Sequence, residues 1–147
     1  MKKRSARLAI LALVVVLAVQ FVPVAEINPP AEGNVEISPE LKAVLRRACY
    51  DCHSNETVWP WYSRVAPVSW LIVRDVTKGR AELNFSAWSQ YNTRRRARKL
   101  KEIRQQIEKG KMPQWYYVAV HSNARLSATD RELVLQWVGL DASGLGK

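Results

Sequence analysis

The chain has 147 residues, with 23 basic against 13 acidic and a formal charge of +10. That length holds one compact domain and little besides, which excludes multidomain architectures. Lys2, Lys3, Arg4 and Arg7 stand together ahead of an apolar run and supply part of the charge excess, so nucleic acid is not the partner it implies.

Residues 1–25 read as an N-terminal signal-anchor. The basic cluster leads into an apolar run from Leu8 to Val24, interrupted only by Gln20 and Pro23. Seventeen residues rise roughly 26 Å as a helix, at the low end for a bilayer core of about 30 Å. The basic flank stays cytoplasmic, which sends the rest of the chain to the periplasmic, extracytoplasmic side. A cleavage site needs small residues at its last and third-last positions, and Pro23 and Val24 stand in the way near Ala25. The expectation is a retained single-pass anchor in the cytoplasmic (inner) membrane, with a cleaved leader as the alternative. Both export the domain.

Residues 26–37, with Asn28-Pro29-Pro30 and Gly33-Asn34, read as an extended linker. Ser38-Pro39-Glu40 then opens a helix with an N-cap hydroxyl, a proline at the first position and an acid in the first turn. Leu41, Val44, Leu45 and Ala48 fall at i, i+3, i+4 and i+7, one apolar stripe running directly into Cys49. Thr57 to Pro67 reads as a loop. Val68, Leu71, Ile72 and Val76 predict a second helix from Pro67 to about Lys78, stopped by Gly79. Asn84 to Asn92 is irregular. A third helix is predicted over Thr93–Lys109, with Ala97, Leu100, Ile103 and Ile107 inward and Gly110 past its end. Trp115–Val120 is apolar and β-prone but too short to assign. Ser127 caps a last helix, with Asp130 three residues on and Leu133, Val134, Trp137 and Val138 as its inner face. No repeat and no strand pairing signal appears. The expected fold is all-α: a domain of about four helices over residues 38–140, behind a single N-terminal hydrophobic helix, with 141–147 as a tail.

Both cysteines sit in Cys49-Tyr50-Asp51-Cys52-His53, a C-x-x-C-H motif. Two cysteines confined to five residues are a local chemical site rather than a disulfide framework. Thiols three positions apart can reach the two vinyl groups of one haem edge, and the adjacent histidine can then bind the iron. A redox dithiol is a rival, but that motif follows a strand in a βαβ unit, whereas this one follows a helix. A zinc site from Cys49, Cys52, His53 and His121 is another, but it would place consecutive residues on one tetrahedral ion. The expectation is one covalent haem c, held by Cys49 and Cys52 with His53 as the proximal iron ligand.

For the distal side of the iron, Met112 is the only internal methionine, in Gly110-Lys111-Met112-Pro113. Pro113 biases it away from helical dihedrals, so its side chain belongs to a loop that can be aimed at a ligand. A gap-filling core methionine is the bland alternative, His121 is the other candidate ligand, and an open or water-bound position is the third. Arg64, Arg80 and Asn84 are candidate donors to the haem propionates. The run Arg94-Arg95-Arg96, Arg98, Lys99 and Lys101 is either a solvated face or a docking surface for anionic lipid or an acidic redox partner. Trp59, Trp61, Tyr62, Trp70, Trp88, Trp115, Tyr116 and Tyr117 suit ordinary core and surface sites singly, and the wall of a flat aromatic ligand together.

The stretch from Arg46 to Trp88 (RRACYDCHSNETVWPWYSRVAPVSWLIVRDVTKGRAELNFSAW) resembles the bacterial haem-binding domain family. The shared blocks are C-x-x-C-H-S-N, W-P-W-Y-S, A-P-x-S-W, D-V-x-x-G-R and L-N-F-S-x-W, with Gly110 to Pro113 and Leu126-Ser127 matching further on. The resemblance spans about Asn28 to Val138. It implies a c-type haem domain, commonly behind one N-terminal hydrophobic segment, and implies no particular reaction. The order helix, C-x-x-C-H, methionine, last helix is loosely similar to class I c-type cytochromes, though Trp59 to Trp88 has no counterpart there. The functional expectation is electron transfer by a membrane-tethered mono-haem protein with an unidentified protein redox partner. Alternatives are a haem-based small-ligand sensor or peroxidase-like enzyme with an open iron, and a haem-handling component whose cofactor never cycles.

Overall fold

The computed structural model describes residues 2–144. Among them every assigned element is helical, and the one β-type pairing is an isolated bridge between Gly33 and Ala87. The all-α expectation therefore stands. The N-terminal span does not. Helix α1 (Lys2–Val19) forms, yet no helix among the described residues is long and apolar enough to cross a membrane. Its first two turns carry Lys2, Lys3, Arg4 and Arg7, and the apolar remainder, Leu8 to Val19, rises only about 18 Å. The run ends early because Gln20 turns to the domain. Its Nε2 donates to the Ala66 carbonyl at 3.1 Å, and its Oε1 accepts from the Ala66 N–H at 3.0 Å.

The segment expected as a spacer lies against the domain. Asn28 Nδ2 donates to the Thr57 carbonyl (2.8 Å), the Glu32 N–H to Ser86 (2.8 Å) and the Val35 N–H to Phe85 (3.1 Å), and the Val35 side chain is buried. Helix α2 (Pro39–Ala48) forms as its capping residues require. Ser38 Oγ accepts from the Leu41 N–H, Pro39 occupies the first turn, and Leu41, Val44, Leu45 and Ala48 are all buried.

The count of about four helices falls short, because six follow α1. The C-x-x-C-H motif itself winds into a single turn, α3 (Tyr50–His53), and Trp115–Val120 forms a further short helix, here α6. Two stretches read as irregular also contain 3-10 turns, Trp61–Arg64 and Trp88–Gln90. Helix α4 (Val68–Glu82) runs straight through Gly79, the residue expected to stop it. Glycine at that position answers a close approach rather than a helix end.

Helix α5 (Thr93–Glu108) starts on Asn92, whose Oδ1 accepts from the Arg95 N–H at 2.9 Å, and is followed by Gly110 at φ 61°, a conformation that favours glycine. Leu100 and Ile107 are buried and Ile103 packs on the core, but Ala97 is exposed, contrary to its expected inward position. Lys99 is buried in the same helix, its Nζ 2.6 Å from Glu102. Helix α7 (Ala128–Gly144) begins with the expected reciprocal cap: the Ser127 N–H donates to Asp130 at 2.8 Å and the Asp130 N–H to Ser127 Oγ at 3.1 Å. Val134 and Val138 are buried, with Leu133 and Trp137 packed beside them. One apolar core joins α2, the Phe85–Tyr91 segment, α5 and α7. It holds the back of the α3 turn, because Tyr50 stacks on Phe85 with ring centroids 5.3 Å apart.

Candidate functional site

The site is built on the junction of α2 and α3. The Cys49 N–H bonds back to Leu45 (2.8 Å) and the His53 N–H to Cys49 (2.9 Å), so the motif is continuous with a helix whose stripe is anchored in the core. Cys49 and Cys52 are both unpaired. Burial pushes the Cys49 thiol up to about 12, with Cys52 adding to it, and burial followed by the nearby Asp51 and Asp75 pushes Cys52 up to about 11. A reactive dithiol carries a lowered thiol pKa, whereas burial acts in the opposite direction on both thiols here. Among the described residues no group of three or more His, Cys, Asp or Glu side chains could hold a metal ion, so the four-ligand zinc set is not assembled.

His53 is oriented by α4. Its Nδ1 lies 2.9 Å from the Gly79 carbonyl and 3.1 Å from that of Leu83. Carbonyls only accept, so Nδ1 carries the proton and donates, and Nε2 keeps its lone pair. Burial lowers the pKa of this imidazole against the pull of the two carbonyls, which favours the neutral form a metal requires. The helix can come this close because residue 79 is glycine. A Cβ there would stand 3.0 Å from the Cys52 carbonyl carbon and 3.1 Å from the Cys52 Cβ.

Asp51, between the two cysteines, organises what surrounds them. Its Oδ1 accepts from the Val58 N–H at 3.0 Å, and its backbone carbonyl accepts from Thr57 Oγ1 at 2.7 Å, which folds the following loop onto the motif. Its Oδ2 accepts from the Tyr117 hydroxyl at 2.7 Å, and the neighbouring Tyr116 donates to Asp75 of α4 at 3.0 Å. These two bonds bind α6, which has no buried residue of its own, to the motif and to α4.

The other predicted site residues are placed as follows. His121 stacks on Tyr117 (centroids 4.2 Å apart), its Nδ1 is 3.2 Å from the Tyr117 carbonyl and its Nε2 is 2.9 Å from the Tyr62 hydroxyl. By the same tautomer argument Nδ1 donates and Nε2 accepts from Tyr62, so both ring nitrogens have partners within the chain. Met112 is half-buried beside a depression of about 480 Å³ lined by Gln106, Gly110, Lys111, Pro113, Gln114 and Trp115, none of them from the motif. Arg80 is a clamp. Its Nε donates to the Ser54 carbonyl (2.7 Å), Nη1 to Ile27 (2.6 Å), and Nη2 to Asn28 Oδ1 (2.8 Å) and Thr57 Oγ1 (2.7 Å). Asn84 Nδ2 donates to Asn55 and its Oδ1 accepts from the Ser86 N–H, both at 2.9 Å. Arg64 is exposed and paired with Glu26 at 3.2 Å. Of the aromatic residues, Trp88 belongs to the core, while Trp61 and Trp115 are 79% and 80% exposed on elements that the Tyr62–His121 bond connects.

Gly79, Leu83, Asp51 and Tyr117 carry the geometry of the site and none was singled out for it from sequence. Gly79 reads there only as a helix stop, whereas α4 continues through it to Glu82.

A C-x-x-C-H turn, carried on a helix stripe and braced by a second helix through its histidine, defines this as a small all-helical domain built around a haem motif. The chain belongs to the haem-binding domain family, whose model matches residues 14–139. Haem binding is accordingly the property of this domain. No curated protein and no solved structure matches the chain, and the similarity to class I c-type cytochromes has no counterpart in these comparisons. The residues present fit the group. His53, with Nδ1 bonded to carbonyls and Nε2 keeping its lone pair, shares a helical turn with two unpaired thiols, and among the described residues the buried indole N–H groups of Trp59 and Trp70 have no acceptor.

Proposed function

We propose that the chain holds one haem covalently through Cys49 and Cys52, with His53 Nε2 on the iron, and that it serves as an electron carrier. The observation that carries the proposal is His53 itself: two backbone carbonyls hold Nδ1–H and so direct a neutral nitrogen away from α4, on the same turn of chain as Cys49 and Cys52. Attachment asks little of the chain. Each thiol adds across a vinyl group, sulfur to one carbon and its hydrogen to the other, with no net change of electrons. When bound, the iron supplies one-electron chemistry. The protein's part is to fix the histidine, hold the thiols and cover the ring with the aromatic residues of the Trp59–Tyr62 segment and α6.

The proposal includes export, supported by Lys2, Lys3, Arg4 and Arg7 ahead of an apolar run and by the match of the motif to thioether attachment. Met112 is proposed as the distal ligand because it is the only internal methionine and lies half-buried in a loop between α5 and α6. An open iron that binds small ligands is the second reading, favoured by one observation: no motif residue lines the depression at Met112.

The test is production of the chain in a host with c-type maturation, followed by haem staining after denaturing electrophoresis and a pyridine haemochrome spectrum. One haem per chain that survives denaturation, and is lost in the Cys49→Ala/Cys52→Ala variant, is the expected result. Haem that dissociates from the unaltered chain on denaturation would refute covalent attachment. Met112→Ala should keep the haem and lower the reduction potential; rapid carbon monoxide binding by the unaltered protein would instead select the open iron.

A further inference from the structure

Among the described residues four buried side-chain polar atoms have no hydrogen-bond partner: the Tyr50 hydroxyl, the indole nitrogens of Trp59 and Trp70, and Arg96 Nε. Buried donors in folded proteins are nearly always satisfied, so each such atom calls for an acceptor. Tyr50 lies inside the core against Phe85, and Arg96 is engaged through Nη2 with Ser89. The indoles differ from both. Each has one polar atom, a donor only, and therefore no other means of satisfaction.

Their positions are also specific. Trp59 directly follows Val58, whose N–H is held by Asp51 between the two cysteines. Trp70 lies on α4, the helix that fixes His53, about 13 Å along its axis from Gly79. The two elements are consecutive in the chain: the 3-10 turn Trp61–Arg64, which Trp59 and Pro60 lead into, is followed by Val65, and the local Ser69 N–H to Val65 bond at 2.9 Å opens α4 directly after it. Two orphaned donors therefore sit on consecutive elements, each of which is hydrogen-bonded to the motif elsewhere along its length.

We infer that the indole N–H groups of Trp59 and Trp70 are the donors to the haem carboxylates, in place of Arg64, Arg80 and Asn84. The inference rests on the placement of the haem at Cys49, Cys52 and His53 proposed above. The four ring nitrogens of a porphyrin face its iron, which leaves the two propionates as its strong acceptors. A carboxylate accepting from a neutral N–H makes a charge-assisted bond. The residues that chemistry would first suggest are already in use. Arg80 has all three of its nitrogens bonded within the chain, Asn84 holds Asn55 and Ser86, and Arg64 points outward to Glu26.

The experiment uses the haem-loaded full chain, with Trp59 and Trp70 replaced one at a time by Phe and, separately, by benzothienylalanine, an isostere with sulfur in place of the N–H. Resonance Raman scattering reads the propionate bending band, and haem staining reads attachment in every sample. The expected result is a shift of that band in both isostere variants, with one attached haem per chain and no shift in Arg64→Gln, whose side chain is exposed and paired only with Glu26. A band that stays in place in both isosteres, or that moves only in Arg64→Gln, overturns the inference. An unaltered chain without stainable haem overturns the motif proposal and this inference with it, whereas stained haem with an unmoved band overturns this inference alone. The isosteres retain the volume and apolar contacts of the indole, so they read the N–H itself whether or not the Phe variants fold.

Discussion

Gly79→Ala tests whether α4 positions His53 by close approach. The added Cβ would lie 3.0 Å from the Cys52 carbonyl carbon and 3.1 Å from its Cβ, and closer still to the carbonyl oxygen. Ordinary carbon contacts are roughly 3.5–4.0 Å, so α4 has to withdraw by about 0.5–1 Å. His53 is 2.9 Å from the Gly79 carbonyl and 3.1 Å from that of Leu83, and such a retreat carries the second bond beyond the range of about 2.7–3.2 Å. Overpacking costs about 1–3 kcal/mol and a lost hydrogen bond about 0.5–1.5 kcal/mol. Replacing a helical glycine by alanine returns about 1 kcal/mol. The net expectation is a loss of about 1–3 kcal/mol, or a melting temperature lower by about 4–12 °C for a domain of this size. Gly139→Ala in α7 is the control. There the added Cβ meets only the far end of the Arg104 side chain, at 3.2 Å, so the propensity gain should appear alone. The assay is thermal unfolding followed by far-ultraviolet circular dichroism, with the His53 Nδ1–H resonance as a local reporter. If Gly79→Ala melts at or above the unaltered protein while that resonance stays in place, the close-approach argument is wrong.

Arg80→Lys should destabilise the domain by about 2–3 kcal/mol in denaturant unfolding, since one ammonium cannot reproduce a fork that reaches Ser54, Ile27, Asn28 and Thr57; an unchanged midpoint would show that the clamp is dispensable. Tyr117→Phe removes the donor to Asp51 at a cost of about 1–2 kcal/mol, and amide exchange should accelerate in Trp115–Val120 while α7 keeps its protection. Uniform acceleration through both helices would contradict a local role for that bond. Acid should weaken the fold through Asp130, whose carboxyl the side chain of Arg47, 2.6 Å away, and Ser127 hold at about 2, below an ordinary 3.8. Folding favours the charged form here, so the contribution is complete above pH of about 4 and disappears as the pH falls towards about 2. Unfolding measured from pH 5 to 2 should therefore show a shallower acid loss in Asp130→Asn.

Sequence reading succeeded where one residue's chemistry decides one local outcome. The Ser38-Pro39-Glu40 and Ser127–Asp130 starts, the buried stripe of α2 and the inner face of α7 follow from capping and period, and the structure has each of them. It went astray where a tertiary partner overrides a local signal. Gln20 interrupts an apolar run only slightly in sequence, but its amide is bound to Ala66, 46 positions on, and the helix ends at Val19. Gly79 resembles a helix stop until Cys52 is seen beside it. Residues 28–35 have the composition of a spacer and are bonded instead to Thr57, Phe85 and Ser86.

The same distinction explains the polar residues near the motif. Arginine and asparagine attract attention as anion donors because their chemistry is versatile, and versatility is why the chain already uses them to join its own loops. Arg80 ties together the Ile27–Asn28 segment, the end of the motif turn and Thr57, and Asn84 joins Asn55 to Ser86. A backbone so held leaves His53 little freedom, since its Nδ1 partners are carbonyls at Gly79 and Leu83 that bracket Arg80 on α4. The orientation of His53 Nε2, the nitrogen proposed for the iron, is then set by residues that need never touch a ligand. An indole has a single polar atom and no second way to be satisfied, and among the described residues the buried indoles left without an acceptor are those of Trp59 and Trp70.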